Sequence, residues 1–187
     1  MILPIYTYGQ PVLRKVAEDI PADYPGLDGL IADMFDTLDA SEGIGLAAPQ
    51  VGKPIRLSVI DLDVVSDTYP EYKGFRRAFI NPRIAEVDES SKKETYEEGC
   101  LSIPGIHEKV ARHTRVRVTY TDRDGTAHDE WVEGFLARVM QHEFDHLDAT
   151  LFTDRISPLR KQLVAKKLKN IAQGKYSCHY KTRPAAH

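Results

Sequence analysis

The strongest restriction on the fold comes from two histidines four residues apart, His142 and His146, with Glu143 directly after the first. Residues four apart project from the same face of an α-helix, so both imidazoles can bind one ion only if this segment is helical. The apolar residues around the motif keep a helical period: Phe135, Leu136, Val139, Met140, Phe144 and Leu147. The sequence therefore predicts a helix from Gly134 to Leu147 that carries H-E-x-x-H.

This motif supplies two metal ligands, whereas a catalytic zinc-type site uses three protein ligands and a water. Cys100, which follows Gly99, would be a strong third ligand as a thiolate. The alternatives are that Cys100 is a small buried residue and that the two histidines lie on an exposed helix face. Other candidates for the third ligand stay open: several carboxylates and His107, His113 and His128.

A Cys/His/His set leaves the fourth tetrahedral position to water, which makes such a site catalytic. Glu143 is then expected to take a proton from the attacking water and pass it to the leaving group. Asp145 and Asp148 are candidates to hold a histidine ring in the correct tautomer, or else are solvated. The motif alone thus indicates a metallohydrolase.

The remaining pattern indicates an α+β fold, with mostly antiparallel strands around the motif-bearing helix and a further helix towards each end. Helices are predicted over residues 27–41 and from Ser157-Pro158 to about Gln173. Strands are predicted at residues 55–62, at residues 77–87 with a break at Asn81-Pro82, and as a hairpin around residues 122–125. The segment 43–54 is too rich in Gly and Pro for regular structure.

Composition excludes several classes of protein. The 187 residues, 42% hydrophobic and 28% charged, predict one domain spanning residues 1–187. A net charge of −3 gives no general attraction to DNA or to anionic lipid. The N-terminus lacks a signal peptide or membrane span, and the two cysteines, Cys100 and Cys178, are expected to be unbridged in a cytoplasmic protein.

Three segments, GIGLAAPQ at 43–50, EGCLS at 98–102 and QHEFDHLDA at 141–149, together resemble the signature motifs of peptide deformylases. The resemblance implies a hydrolase that removes the formyl group from formylmethionine of newly synthesised polypeptides. It implies Cys100, His142 and His146 as ligands of one Fe²⁺ ion, which Zn²⁺, Ni²⁺ or Co²⁺ can replace in purified protein. Ligand chemistry alone would have indicated zinc.

The resemblance also implies roles in binding the substrate. Gln50 and the backbone N–H of Leu101 would stabilise the oxyanion, because formamide hydrolysis places negative charge on the carbonyl oxygen. The expected contacts with the formylmethionyl peptide are Gly43, Ile44, Gly45, Gly99, Phe135 and Val139. Taken alone, Gln50 would be a loop amide bonded to the backbone, and the apolar residues would be core.

The sequence departs from the family pattern at two positions. Ala149 stands where the family has glycine, and a left-handed backbone there would cost about 1 kcal/mol. His107 stands where many members have a basic or aromatic residue near the substrate's path. The basic residues of the last helix are expected to be solvated or, by family precedent, to contact the ribosome: Arg160, Lys161, Lys166, Lys167 and Lys169.

Two other functions use the same motif. A zincin-type endopeptidase would cut internal bonds of unblocked peptides, with Cys100 in an unusual role. A non-catalytic metal-binding or peptide-binding module would hold a closed site. Replacing Glu143 separates the catalytic functions from the module, which has no activity to lose.

Overall fold

A five-stranded antiparallel sheet forms the main layer of the protein in a computed structural model that describes residues 1–185. The strands are β1 Ile5–Tyr6, β2 Gly45–Ala47, β3 Leu57–Asp61, β4 Arg76–Val87, β5 Lys93–Cys100, β6 Ile103–His113, β7 Arg115–Thr121, β8 Ala127–Glu133 and β9 Thr182–Arg183. The helices are α1 Leu27–Ser41, α2 Gly134–Leu147 and α3 Pro158–Ala172. The main sheet has the order β2-β3-β4-β7-β8, so β2 lies at its edge.

Two smaller sheets flank this layer. Strands β5 and β6 form an antiparallel hairpin, and β1 pairs with β9 in parallel. The α+β class with mostly antiparallel strands is confirmed, and the parallel β1–β9 pair was not predicted.

Helix α2 lies at the centre of the structure, as predicted. It contacts strands of the main sheet, including β2, β3 and β8, and it also contacts β6 of the hairpin. Its side chains Ala137, Met140 and Phe144 are buried in a core cluster with residues of β3, β4, β7 and β8. Because the helix is enclosed on these sides, its polar motif lies between two sheets.

The two outer helices also agree with the prediction. Helix α1 begins after Gly26 and ends at Glu42, whose φ of 56° breaks the helical path. In α3 the Ser157 side chain accepts a hydrogen bond from the backbone N–H of Arg160, and Pro158 occupies the first turn. None of the helices within residues 1–185 is both long enough and apolar enough to cross a membrane.

Two predicted irregularities proved wrong in part. The Gly/Pro-rich segment 43–54 contains strand β2 and a 3₁₀ helix, Ala48–Val51. The expected break at Asn81-Pro82 is a register shift within the continuous strand β4. There Asn81 adopts a φ of 52°, and its side-chain amide pairs with the backbone N–H and C=O of Ile20. Proline has no N–H, so it fits at such a bulge.

The hairpin β5–β6 was absent from the prediction, and the strand 55–62 is shorter in the structure, Leu57–Asp61. The predicted hairpin β7–β8 is present, with its turn at residues 122–126. Strand β5 ends at Cys100, and β6 starts three residues later at Ile103. The tight connection between them brings Cys100 against His146 of α2, while Leu101 packs on the core cluster that includes residues of α1.

Ala149 adopts a left-handed backbone with a φ of 58°, as its position after α2 suggested. Replacing Ala149 with glycine is expected to raise the free energy of unfolding by about 1 kcal/mol, because glycine has no Cβ to strain that conformation. Urea unfolding of the two proteins measures the change. Ala47→Gly is a matched control with φ −102°, and it should be destabilising. A free energy of unfolding lower in Ala149→Gly than in the native protein would contradict backbone strain at Ala149.

Candidate functional site

Three side chains with metal-binding chemistry converge where α2 meets the end of β5. The ligand atoms of Cys100, His142 and His146 lie within 4.8 Å of one another, and no other set of three His, Cys, Asp or Glu residues within 1–185 fits a metal ion in this way. The Cys100 thiol lies 3.4 Å from Nε2 of His146. The two histidine rings lie one above the other on α2, with centroids 5.3 Å apart.

The other histidines considered as ligands lie elsewhere. His128 Nε2 is 2.7 Å from Asp122 in the turn between β7 and β8. His113, at the end of β6, has its Nε2 3.9 Å from Glu89. His107 lies beside Gly99 on the rim of the cleft. Cys100 therefore has the geometry expected of the third ligand.

A buried carboxylate, Glu98, holds His142 in place. His142 Nδ1 lies 2.8 Å from Glu98 Oε1, which with a proton on Nδ1 leaves Nε2 free to face the site. Arg112 donates two hydrogen bonds to the same carboxylate at 2.7 and 3.0 Å, and Arg138 donates a third at 2.7 Å. These three cationic or polar donors compensate the burial of Glu98.

The charges in this cluster shift the pKa values of its members. Burial raises the pKa of Glu98, but hydrogen bonds from His142 and Arg112 outweigh burial and lower that pKa to about 2. Burial lowers the pKa of His142, yet its bonds to Cys100 and Glu98 raise that pKa to about 10. Burial and the charge of His142 lower the pKa of His146 well below its ordinary value. These contacts favour a proton on His142 while no metal is bound, and a bound cation would displace that proton.

Glu98 was missed in the sequence, and the two aspartates considered for its role have other partners. Asp145 accepts hydrogen bonds from Arg112 and Arg155, and Asp148 accepts one from Arg56. One signal could have indicated Glu98: it precedes the candidate ligand Cys100 by two residues, and carboxylates commonly orient histidine ligands of a metal. Strand alternation alone does not give its direction, because the register of β5 shifts between Glu98 and Cys100.

Glu143 lies buried beside β2, with its side chain in the space that a Cβ on Gly45 would occupy. An added Cβ there would be 2.6 Å from Glu143 Oε1, so any other residue at this position would displace the Glu143 carboxylate. Burial raises the pKa of Glu143 to about 7, although the nearby charge of His142 opposes this. Among the described residues Oε2 of Glu143 has no hydrogen-bond partner. A carboxylate with a free oxygen and such a pKa can both accept and return a proton.

The side chain of Gln50 is fixed at both ends. Its Oε1 accepts a hydrogen bond from the backbone N–H of Ala47 at 2.9 Å. Its Nε2 donates to Ser102 Oγ at 3.1 Å and to the Cys100 thiol at 3.4 Å. One amide N–H group therefore faces Cys100 and the site, the other is bonded to Ser102, and the oxygen points away from the site.

A cleft of about 640 Å³ opens above these residues. Its lining brings together nearly all of the sequence-predicted residues: Gly43, Ile44, Gly45, Gln50, Gly99, Cys100, Leu101, Phe135, Val139, His142 and Glu143. His146 is not part of the cleft lining, because it is buried. Its Nε2 lies 3.4 Å from the Cys100 thiol, which does line the cleft.

Four further lining residues come from the C-terminal segment, which sequence reasoning did not connect with the site: Ser177, Cys178, His179 and Tyr180. Cys178 is unbridged, as predicted, and so is Cys100.

Comparison with known proteins gives one consistent answer. Residues 2–162 match the family model described as polypeptide deformylase. A peptide deformylase of Flavobacterium johnsoniae is 48% identical over 193 residues, which cover 100% of this chain and 97% of the relative. A peptide deformylase of Cytophaga hutchinsonii is 44% identical, and the match covers 98% of this chain and 97% of the relative.

Solved structures agree with the sequence relatives. The crystal structure of a peptide deformylase from Legionella pneumophila is 38% identical, covers 95% of this chain and 100% of that chain, and has a TM-score of 0.79. The peptide deformylase structure from Thermus thermophilus is 37% identical and also has a TM-score of 0.79. The match covers 91% of this chain and 97% of that chain.

Replacing Glu98 with glutamine tests whether the buried carboxylate orients His142. The change leaves Arg138 without its charge partner and leaves Arg112 with Asp145 alone, so we expect metal affinity to fall about 10- to 100-fold and stability to fall by about 3 kcal/mol. Competition with a chromophoric chelator and urea unfolding measure the two effects.

The matched control is Glu97→Gln, which changes the exposed neighbour in the same strand. Equal metal affinity in the Glu98 and Glu97 variants would show that Glu98 does not position the ligand.

Proposed function

The chain belongs to the polypeptide deformylase family, and on that premise we propose how its own residues carry the reaction. It is a hydrolase that removes the N-terminal formyl group from formylmethionine of newly synthesised polypeptides and releases formate. The observation that carries the proposal is the convergence of Cys100, His142 and His146 with Glu143 in one cleft.

The proposed metal ligands are Cys100, His142 and His146. One thiolate and two imidazoles within 4.8 Å of one another are a suitable donor set for one divalent transition-metal ion. The family is metal-dependent, and the resemblance favours Fe²⁺, one per chain. A metal bound here would polarise the formyl oxygen and lower the pKa of a water molecule.

Glu143 is proposed as the residue that moves protons. It takes one proton from the water that attacks the formyl carbon and gives it to the departing amine, so that formate and a free methionine amine result. Its buried position and its pKa of about 7 support both halves of this transfer. Gly45 supports the role by leaving space for the carboxylate next to β2.

Gln50 and Leu101 are proposed to hold the oxyanion. The Gln50 amide is already oriented by Ala47 and Ser102, so the N–H group that faces Cys100 needs little reorganisation when charge develops on the formyl oxygen. The backbone N–H of Leu101, next to Cys100, would supply the second donor.

The peptide is proposed to bind along the edge strand β2. The edge residues Gly43 and Gly45 allow a second chain to approach closely, and Gly99 lies across the cleft from them. Ile44, Phe135 and Val139 would then surround the methionine side chain.

Further proposals follow from the resemblance: residues 1–187 form one catalytic domain, the protein acts in the cytoplasm, and the basic face of α3 contacts the ribosome. Within α3, Arg160 is bound to Glu108 by two hydrogen bonds, which leaves the lysines as the candidate contacts. Co-sedimentation of ribosomes with a variant in which Lys166, Lys167 and Lys169 are glutamate would detect the contact, and undiminished binding would reject it.

The endopeptidase alternative gains no support from the comparisons. An endopeptidase would cleave internal bonds of unblocked peptides, whereas a deformylase requires the formyl group. Incubation with matched formylated and unformylated peptides distinguishes the two.

Replacing Glu143 with glutamine should lower kcat by about 10²- to 10⁴-fold, because the amide cannot accept the proton. Formate release from formyl-Met-Ala-Ser, measured anaerobically with ferrous iron, checks this. Glu71→Gln, at an exposed site outside the cleft, is the control and should retain activity. Full activity of the Glu143 variant would reject its role, and a metal-loaded native protein that releases no formate would reject the function.

Iron is expected in protein purified anaerobically from its own cells without added metal. Elemental analysis should find about one Fe per chain, because the ligand set has room for one ion. The double variant Cys100→Ser/His146→Ala should retain little metal. Zinc at that stoichiometry, with iron absent, would contradict the iron assignment and leave the site itself intact.

A further inference from the structure

We infer that four residues of the C-terminal segment, Ser177 to Tyr180, form a wall of the cleft that discriminates among the residues following methionine. We name these four residues the tail wall. The inference rests on the proposed function and adds to it, because the tail wall lies outside residues 2–162, the range that matches the family model.

The tail wall is fixed on both sides. On one side the hydroxyl of Tyr176 bonds with the hydroxyls of Thr7 and Thr182, at 3.2 and 2.8 Å. On the other side β9 pairs with β1, and Gln10 donates to the carbonyl oxygens at residues 183 and 184. Since both flanks are bonded to the N-terminal part of the chain, the four residues between them are held at the cleft.

Two contacts join the tail wall to the site. The Tyr180 hydroxyl donates to the backbone oxygen of Leu101 at 2.8 Å, and burial raises the pKa of Tyr180, which keeps the hydroxyl protonated. His179 Nε2 lies 3.5 Å from Oε2 of Glu42, the residue that ends α1. The first contact places the wall beside the proposed oxyanion donor, and the second reaches across the rim to the residue before Gly43.

The path of the peptide determines which of its residues meet this wall. Gly45 marks the reacting centre, because Glu143 lies against it. In one direction from Gly45 the edge strand leads to the fully buried Leu46 and Ala47, so a peptide can leave only in the other direction, towards Gly43 and Glu42. Glu42 comes three residues before Gly45, directly after the end of α1. The second and third residues of the peptide therefore pass the tail wall.

The charges at this rim indicate which side chains are favoured. Glu42 is 82% exposed, His179 is 60% exposed, and Glu97 is a further exposed carboxylate lining the cleft. Acidic peptide side chains meet these carboxylates unfavourably, and basic ones meet them favourably. His179, when protonated, moderates the preference by pairing with Glu42.

The experiment compares kcat/KM for formyl-Met-Lys-Ser with kcat/KM for formyl-Met-Glu-Ser, and makes the same comparison for peptides that carry Lys or Glu as the third residue. The ratio of the two values is the Lys-to-Glu preference. His179→Ala should raise the Lys-to-Glu preference about threefold, the factor that an exposed ion pair can supply, and His179→Glu should raise it further. The double variant Glu42→Gln/His179→Ala should bring the preference below that of His179→Ala alone.

Two controls make the result specific. Formyl-methioninamide has no residue beyond methionine, so its kcat/KM should not change in any His179 variant. Lys181→Ala alters an exposed charge of the same segment outside the cleft lining and should leave the preference unchanged.

The outcomes are distinguishable. An unchanged Lys-to-Glu preference in His179→Glu, with normal turnover of formyl-methioninamide, would overturn the inference that the tail wall discriminates among peptide residues. The proposed function would be unaffected. Absence of formate release by the metal-loaded native protein from every formylated substrate would overturn the proposed function and this inference with it.

Discussion

The geometry of the site depends on the buried carboxylate of Glu98. It binds Arg112 and Arg138, which compensate its charge, and its remaining hydrogen-bonding capacity fixes the ring of His142. A buried carboxylate without these donors would be costly, and removing it would leave the buried Arg138 without a charge partner and Arg112 with Asp145 alone. The hairpin β5–β6 and helix α2 are therefore joined by one ionic cluster at the point where their metal-binding side chains meet.

The orientation of the proposed catalytic groups depends equally on small residues. Glu143 can lie against β2 only because Gly45 has no side chain. Gln50 is turned towards the site by a backbone N–H on one side and the Ser102 hydroxyl on the other. These contacts come from strand β2 and from the turn between β5 and β6, so the orientation of the acid–base group and of the oxyanion donor is set before any substrate binds.

Local patterns in the sequence predicted the parts of the site that depend on local structure. The helical period around His142 predicted α2, and Ser157-Pro158 predicted the start of α3, because caps and periodicity act over a few residues. The need for a third ligand led to Cys100, but the sequence left other candidates open.

What was missed depends on distant contacts. Strand β5 has almost no apolar alternation, since most of its residues are exposed, and its strand conformation comes from pairing with β6. The role of Glu98 depends on Arg138 and His142, 40 and 44 positions away. The approach of the C-terminal segment to the cleft depends on strands β1 and β9 at opposite ends of the sequence.

The pairing of β1 with β9 also bears on the order in which the cleft is completed. Tyr6 and Arg183, which meet there, are 177 positions apart, so this contact closes a very long loop and carries a large entropic cost. Two-residue strands gain few hydrogen bonds to offset that cost, and elements held by few hydrogen bonds are the ones that open locally before the core does. The C-terminal side of the cleft is therefore expected to form late during folding and to open first in the native state, while the ionic cluster around Glu98 stays closed.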